Sequence, residues 1–292
     1  MREGWPSLTA LAVAVARGIG TADDNVDPSA AGLVPPALGR ALAWIGRPGG
    51  SVAVRSTLRA ATLGMVDHVS LRRAAIDEAL SGAIEAGTRQ LVVLGAGLDG
   101  RAWRLASLRD VEVFEVDHPA TQRGKQARVQ GRPTHAAAVH FVAVDFERDA
   151  LAERLAEAGH DPHRPTAWIW EGVTPYLFSE AIDASLDDVA ARSAHGSRLI
   201  VSYAIPRLMP VDIPGLDALT EAGFSALGEP LRGAMETEDL VARLASRGFA
   251  TREDSGNDDW AQRHPGSARL ARLFHAERLM VAERLGDAPP LA

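Results

Sequence analysis

Residues 91–105 read LVVLGAGLDGRAWRL. An apolar run ends in Gly95-Ala96-Gly97-Leu98-Asp99-Gly100, and a segment with helical spacing follows. A strand that stops at a glycine turn and restarts as a helix is a βα unit with a ligand seat at the turn. Read literally the turn is G-x-G-x-x-G, the pattern that cradles a pyrophosphate. Glycine supplies only room and backbone freedom, so the same turn also suits an adenosyl ligand with a different tail.

The texture on either side of this turn sets the fold class. Upstream, the first 86 residues lack strand-like runs and read as helices broken at VDPSAAGLVPPALG and GRPGGS. Downstream, β-rich runs at residues 90–94, 111–116, 140–144, 166–170 and 198–203 alternate with helix-like stretches at 101–108, 119–130, 149–158 and 179–194. This alternation predicts an α/β fold: a Rossmann-like, mostly parallel sheet with helices on both faces and a late antiparallel strand in RLMVAERL. The expected organisation is a helical N-terminal cap over residues 1–86 and a core over 87–292. Residues 205–233, rich in Pro and Gly, break the rhythm as an excursion over the site. A helix at 238–246, a strand near 249–254 and a helix at 267–276 complete the core.

Bulk composition narrows the function. A net charge of -7 disfavours a general nucleic-acid binder, because neutralising phosphates takes a basic face. The absence of cysteine excludes disulfides, thiolate nucleophiles and cysteine zinc sites, and fits a cytoplasmic location. The single lysine, Lys125, lies in TQRGKQARVQ, which reads as an exposed helix. The apolar run LTALAVAVA at residues 8–16 resembles a short export core, but Glu3 in the would-be basic region favours a helix packed on the domain. It is too short to span a bilayer, so no membrane partner is expected. The nine histidines show no ligand spacing, and no metal is expected.

In open α/β sheets ligands sit beyond the carboxyl ends of the strands, so what each strand ends on carries the chemistry. The first ends at Gly95-Ala96-Gly97, the second at VFEVDHP with Glu115 and Asp117 on one side, the third at Asp145, the fourth at Glu171. An acid after the second strand suits a ribose diol. Acids on the next two strands oppose a second phosphate-bearing nucleotide and suit an adenine edge and a cationic amino-acid tail. That tail also carries a carboxylate, for which HVSLRRAAID offers Arg72 or Arg73, with Arg59 and Arg55 as outside candidates. The balance favours S-adenosylmethionine over NAD.

Taken in order, LVVLGAGLDGRAWRL, VFEVDHPATQRGKQARV, VAVDF and EGVTPYL resemble the leucine carboxyl methyltransferase family of class I S-adenosylmethionine-dependent O-methyltransferases. The resemblance implies that Arg72 pairs with the donor's carboxylate and that Gly95, Ala96 and Gly97 line its methionine moiety. It implies that Asp117 holds the ribose, that Asp145 with Phe146 meets the adenine, and that Glu171 faces the amino group. Gly100 stands where relatives often carry a small hydroxyl residue, so the third glycine of the apparent fingerprint reads as incidental.

Methyl transfer from a sulfonium is an in-line displacement that depends mostly on positioning and exclusion of water. A carboxylate acceptor needs no base, whereas a phenol or enol would call on one, with His118, Tyr203 or Tyr176 as candidates. His264 and His275 have no evident partner. Trp168 and Trp170 read as core or pocket wall, and Trp260 either covers the acceptor from a loop or belongs to the core. The expectation is an O-methyltransferase acting on a carboxylate or hydroxyl of a small metabolite in natural-product biosynthesis. The alternatives are a protein carboxyl methyltransferase, a donor-binding fold with non-methylating activity, and an NAD-dependent oxidoreductase. The acceptor and the oligomeric state are not written in the sequence.

Overall fold

A computed structural model describes residues 8–21, 26–47, 52–146, 148–206, 225 and 231–285. Five helices come first: α1 (Leu8–Ile19), α2 (Ala30–Leu33), α3 (Pro36–Ile45), α4 (Val52–Ala61) and α5 (Met65–Glu85). Strands and helices then alternate as β1 (Gln90–Leu94), α6 (Arg101–Arg104), β2 (Glu112–Asp117), α7 (Pro119–Val129), β3 (Ala138–Ala143), α8 (Leu151–Glu157), β4 (Thr166–Trp170), α9 (Ser179–Ala191) and β5 (Arg198–Ala204). The chain closes with α10 (Thr237–Ala245), β6 (Phe249–Ser255), α11 (Asn257–Arg263), α12 (Ala268–Ala271) and β7 (Glu277–Arg284).

The seven strands form one sheet in the order β3-β2-β1-β4-β5-β7-β6, with β7 antiparallel to both of its neighbours. This is the expected α/β, Rossmann-like sheet with its late reversed strand. The strand order turns back between β1 and β4, so the loops leaving them diverge and open a crevice, the switch point where such sheets bind ligands. Register puts Leu94 beside both Val116 and Trp170. Gly95, Asp117 and Glu171, the next residue on or at the end of each strand, are thereby brought to one place.

Period-two alternation sorts the strand residues to two faces. Val92, Leu94, Phe114, Val116, Trp168, Trp170 and Leu199 pack with Leu186, Val189 and Leu240 on one side. Leu91, Val93, Val113, Ala167 and Ile169 pack with Leu71, Ile76 and Leu80 of α5 on the other. Trp168 and Trp170 are therefore core residues. α5 belongs to the sheet's own core although it precedes residue 87. Its first turns are also covered from outside, and residues 66–73 are buried in succession. A third cluster joins Ala14, Ala16 and Ile19 of α1 to Leu33, Val66 and Leu98, which fastens α1 over the first glycine turn.

Some boundaries differ from expectation, each for a local reason. Residues 101–108 divide into α6 and a 3-10 turn at Ala106–Asp110. The expected last helix shrinks to α12 and a 3-10 turn, Arg272–Phe274. GNDDWAQRH is not a loop but α11, opened by the Asp259 carboxylate accepting from the Gly256 N–H at 2.9 Å. Trp260 on that helix is fully buried and donates from Nε1 to Ser255 Oγ at 2.9 Å, so it is core and not a cover over an acceptor. The expected excursion at 205–233 falls mostly outside the described residues.

Candidate active site

The crevice begins at the glycine turn. Gly95 (φ 65°) and Gly97 (φ 46°) both lie in the left-handed region, where a side chain is strained. A Cβ on Gly95 would also stand 2.3 Å from Val173 Cγ2, in the loop after β4. The turn is tied to the second strand: Ala96 N–H donates to Val116 O at 2.9 Å, and Gly97 N–H donates to Asp117 Oδ2. Asp117 Oδ1 accepts from the His118 N–H at 2.6 Å. Burial nevertheless pushes the Asp117 carboxyl up, against those two N–H groups.

Behind Asp117 lies a pair the sequence did not reveal. Glu115 and Lys125 are both buried and form an ion pair at 2.7 Å, with the Lys125 Nζ also 5.4 Å from the Trp103 ring centroid. Lys125 is thus not exposed; its helix turns it inward against the sheet. Burial pushes the Glu115 carboxyl up to about 7 against the pull of Lys125.

On the far side of the turn, Glu171 is ringed by three guanidinium groups. Arg17 Nη2 stands at 2.7 Å, Arg72 Nη2 at 3.0 Å and Arg101 Nη2 at 3.0 Å. Burial opposes ionisation of Glu171, but Arg17, Arg101 and Arg72 outweigh it and hold the carboxyl well below its usual range. Arg72 reaches on to Glu277, and Arg101 is paired with Asp99 and, at 2.9 Å, with Asp77. Arg73, adjacent in sequence, lies instead in the field of Arg104, Asp77 and Asp27. Arg59 is bound to Asp67 at 2.6 Å, and Arg55 donates to Ile45 O at 3.4 Å. Of the four arginine candidates, only Arg72 reaches Glu171.

Asp145 lies just beyond β3, partly exposed, its N–H donating to Asp149 Oδ2 at 2.9 Å, and Phe146 packs against the sheet's core. The candidate bases fare differently. Tyr203 is fully buried, its hydroxyl bonded to Thr237 Oγ1 at 2.7 Å and Asp254 Oδ1 at 2.9 Å. Burial foremost pushes its phenol up to about 12, so Tyr203 does not supply a base near neutrality. His118 caps α7, its Nδ1 accepting from the Ala120 N–H at 3.3 Å. Tyr176 is half-buried in a 3-10 turn, Thr174–Tyr176. His264 lies 3.2 Å from Glu78.

Gly100 has a packing reason of its own, separate from the apparent fingerprint. A Cβ there would fall 1.8 Å from Ser29 Oγ and 2.8 Å from Ser29 Cβ, so this glycine makes room for the segment that leads into α2.

The chain matches the leucine carboxyl methyltransferase family over residues 10–190. It belongs to that family. A presumed S-adenosyl-L-methionine-dependent methyltransferase of Saccharopolyspora erythraea is 39% identical over 228 residues, covering 75% of this chain and 77% of that protein. A second, from Mycolicibacterium paratuberculosis, is 33% identical over 279 residues, 88% of this chain and 80% of its own. Among solved structures, a presumed methyltransferase from Thermobifida fusca superposes with a TM-score of 0.57 at 17% identity, over 80% of this chain and 89% of that one, a likeness of fold. This leucine carboxyl methyltransferase family member is an S-adenosylmethionine-dependent methyltransferase. The crevice suits that cofactor: two glycines leave the turn bare, Glu171 is an ionised carboxylate, and Arg17 Nε is buried without a hydrogen-bond partner in the described structure. Among the described residues no helix is long and apolar enough to cross a membrane.

Proposed function

We propose that this enzyme methylates a carboxylate oxygen of a small metabolite in secondary metabolism. The observation that carries this reading is the state of two of the three candidate bases. Tyr203 is locked in a buried hydrogen-bond network with its phenol at about 12, and His118 Nδ1 is engaged as a helix cap. A carboxylate is already a nucleophile near neutral pH and needs neither.

The donor-site roles assigned here are those the family resemblance implies, with Arg17 added from its contact with Glu171. Asp117 takes the ribose hydroxyls, Asp145 and Phe146 meet the adenine, and the bare backbone of Gly95, Ala96 and Gly97 runs beside the methionine moiety. Glu171 receives the ammonium, while Arg72 and Arg17 receive the carboxylate, Arg17 with its unengaged Nε. S-adenosylmethionine supplies a methyl on a sulfonium, an electrophile that needs only a well-aimed oxygen. The protein's part is to align the two and keep water out.

The test is incubation with methyl-labelled donor and matched panels of small carboxylic acids, phenols and enols, followed by mild alkali. Methyl esters release methanol under alkali and methyl ethers do not. Alkali-labile label from the acid panel is expected. Label confined to alkali-stable products would overturn the carboxylate reading.

A further inference from the structure

Arg72 is gripped from two sides. Its Nη1 lies 2.6 Å and 2.5 Å from the two oxygens of Glu277, while Nε and Nη2 lie 3.2 Å and 3.0 Å from Glu171 Oε1. Glu277 opens β7, and because β7 runs backwards its first residue arrives at the end of the sheet where the forward strands finish. Sequence reading gave no signal for it.

Behind Glu277 stands His68, one helical turn before Arg72 on α5. His68 Nε2 is 2.6 Å from Glu277 Oε2, and Nδ1 is 3.0 Å from Asn257 Oδ1. The Asn257 amide has only one orientation open to it. Its Nδ2 donates to Phe274 O at 3.1 Å and Ala271 O at 3.4 Å, which turns Oδ1 toward the ring. Both ring nitrogens therefore face acceptors. The Phe274 ring stacks on it at 4.9 Å and 14°. Burial works against an ionised Glu277, but Arg72 and His68 prevail and hold its carboxyl down at about 2.

We propose that Asn257, His68 and Glu277 form a positioning chain that keeps the Arg72 guanidinium aimed at the donor's carboxylate. The proposal rests on the reading of Arg72 as that carboxylate's partner. An arginine facing Glu171 alone would settle on it through both oxygens, the geometry a guanidinium prefers, and would mask the carboxylate meant for the donor's ammonium. Glu277 draws Nη1 the other way, so Arg72 engages only Oε1 of Glu171. His68 in turn occupies Glu277 Oε2 and limits how far Glu277 pulls Arg72 out of the site. None of the three is among the residues assigned to the donor above, and Glu277 is the one of them that contacts Arg72, so they act through Arg72.

The experiment compares two ligands by calorimetry: S-adenosylhomocysteine, and 5′-methylthioadenosine, which has the same adenosyl thioether without the amino-acid tail. The wild type prefers the tailed ligand. Glu277→Gln and His68→Leu are expected to cut that preference about tenfold, the scale of one charge-assisted hydrogen bond, with methylthioadenosine affinity unchanged. His68→Gln keeps a donor toward Glu277 and should retain more of the preference than His68→Leu. Unchanged methylthioadenosine binding doubles as the check that each variant is folded. If Arg72→Gln abolishes the preference while Glu277→Gln and His68→Leu leave it intact, the positioning chain is overturned. Equal weakening of both ligands by Glu277→Gln overturns it as well, because the role would then be general support. If Arg72→Gln itself keeps the preference, the underlying reading of Arg72 falls instead.

Discussion

Arg17 and Glu171 lie 154 residues apart in the chain and 2.7 Å apart in space. The contact joins the first described helix to the end of the central strand of the sheet. A buried ion pair of this kind adds little to stability once both desolvation costs are counted, but it fixes geometry. Arg17→Ala should therefore weaken S-adenosylhomocysteine binding about tenfold, the loss of one charge-assisted contact. Titration calorimetry reads it directly, and an unchanged affinity would detach α1 from the donor site.

The Glu115–Lys125 pair predicts a pH-dependent stability. Glu115 is raised from 4.5 to about 7, burial being the main cause. A carboxyl raised on folding stabilises the fold fully below its unfolded value, and that contribution is lost as pH rises through the folded one. The window here runs from 4.5 to about 7. Without Lys125 the charged form of Glu115 has no counter-ion, so Lys125→Met should lose about 3 kcal/mol near neutral pH. The deficit should shrink toward the acid end of the window, where Glu115 carries a proton. Melting temperatures at the two ends measure this, and equal deficits would exclude Glu115 as its origin.

Gly100 and Ser29 should couple. Gly100→Ser puts a Cβ 1.8 Å from Ser29 Oγ and should destabilise the protein by about 1–3 kcal/mol, the usual cost of overpacking. Ser29→Gly in the same chain removes the obstructing atoms, and the double variant should recover most of the loss. A double-mutant cycle by urea denaturation gives the coupling, and strict additivity would mean that the two residues do not share the space.

Tyr203→Phe separates base from scaffold. Loss of the hydroxyl bonds to Thr237 and Asp254 should cost about 1 kcal/mol of stability and leave kcat unchanged once an acceptor is known. A fall in kcat of about a hundredfold or more would restore Tyr203 as a general base.

The sheet was legible because its strands announce themselves. QLVVL and TAWIW are buried along their whole length and bounded by turn residues, and their expected and observed limits coincide. The positions of the acids at the strand ends were legible for the same reason, since the strands that carry them were. What stayed hidden depends on register and on contacts between distant segments. Arg17 follows an apolar run that says helix and nothing about Glu171. Arg101 was inside the quoted motif, yet nothing local aims it at Glu171. Glu277 reaches the site only because β7 is reversed. Lys125 sits in a polar stretch of weak periodicity, and only the buried Glu115 across from it explains why a lysine points inward. The short α11 escaped because its glycine start and acidic first turn read equally well as a loop.

The ring around Glu171 draws on both halves of the chain, Arg17 and Arg72 from before the first strand and Arg101 from after it. The N-terminal helices are therefore not an exchangeable module. A chimera that imported another homologue's first helix to acquire its acceptor range would also change a partner of Glu171. Libraries aimed at new acceptors in this scaffold are better screened at saturating donor, where a variant with weakened cofactor affinity can still reveal a new substrate.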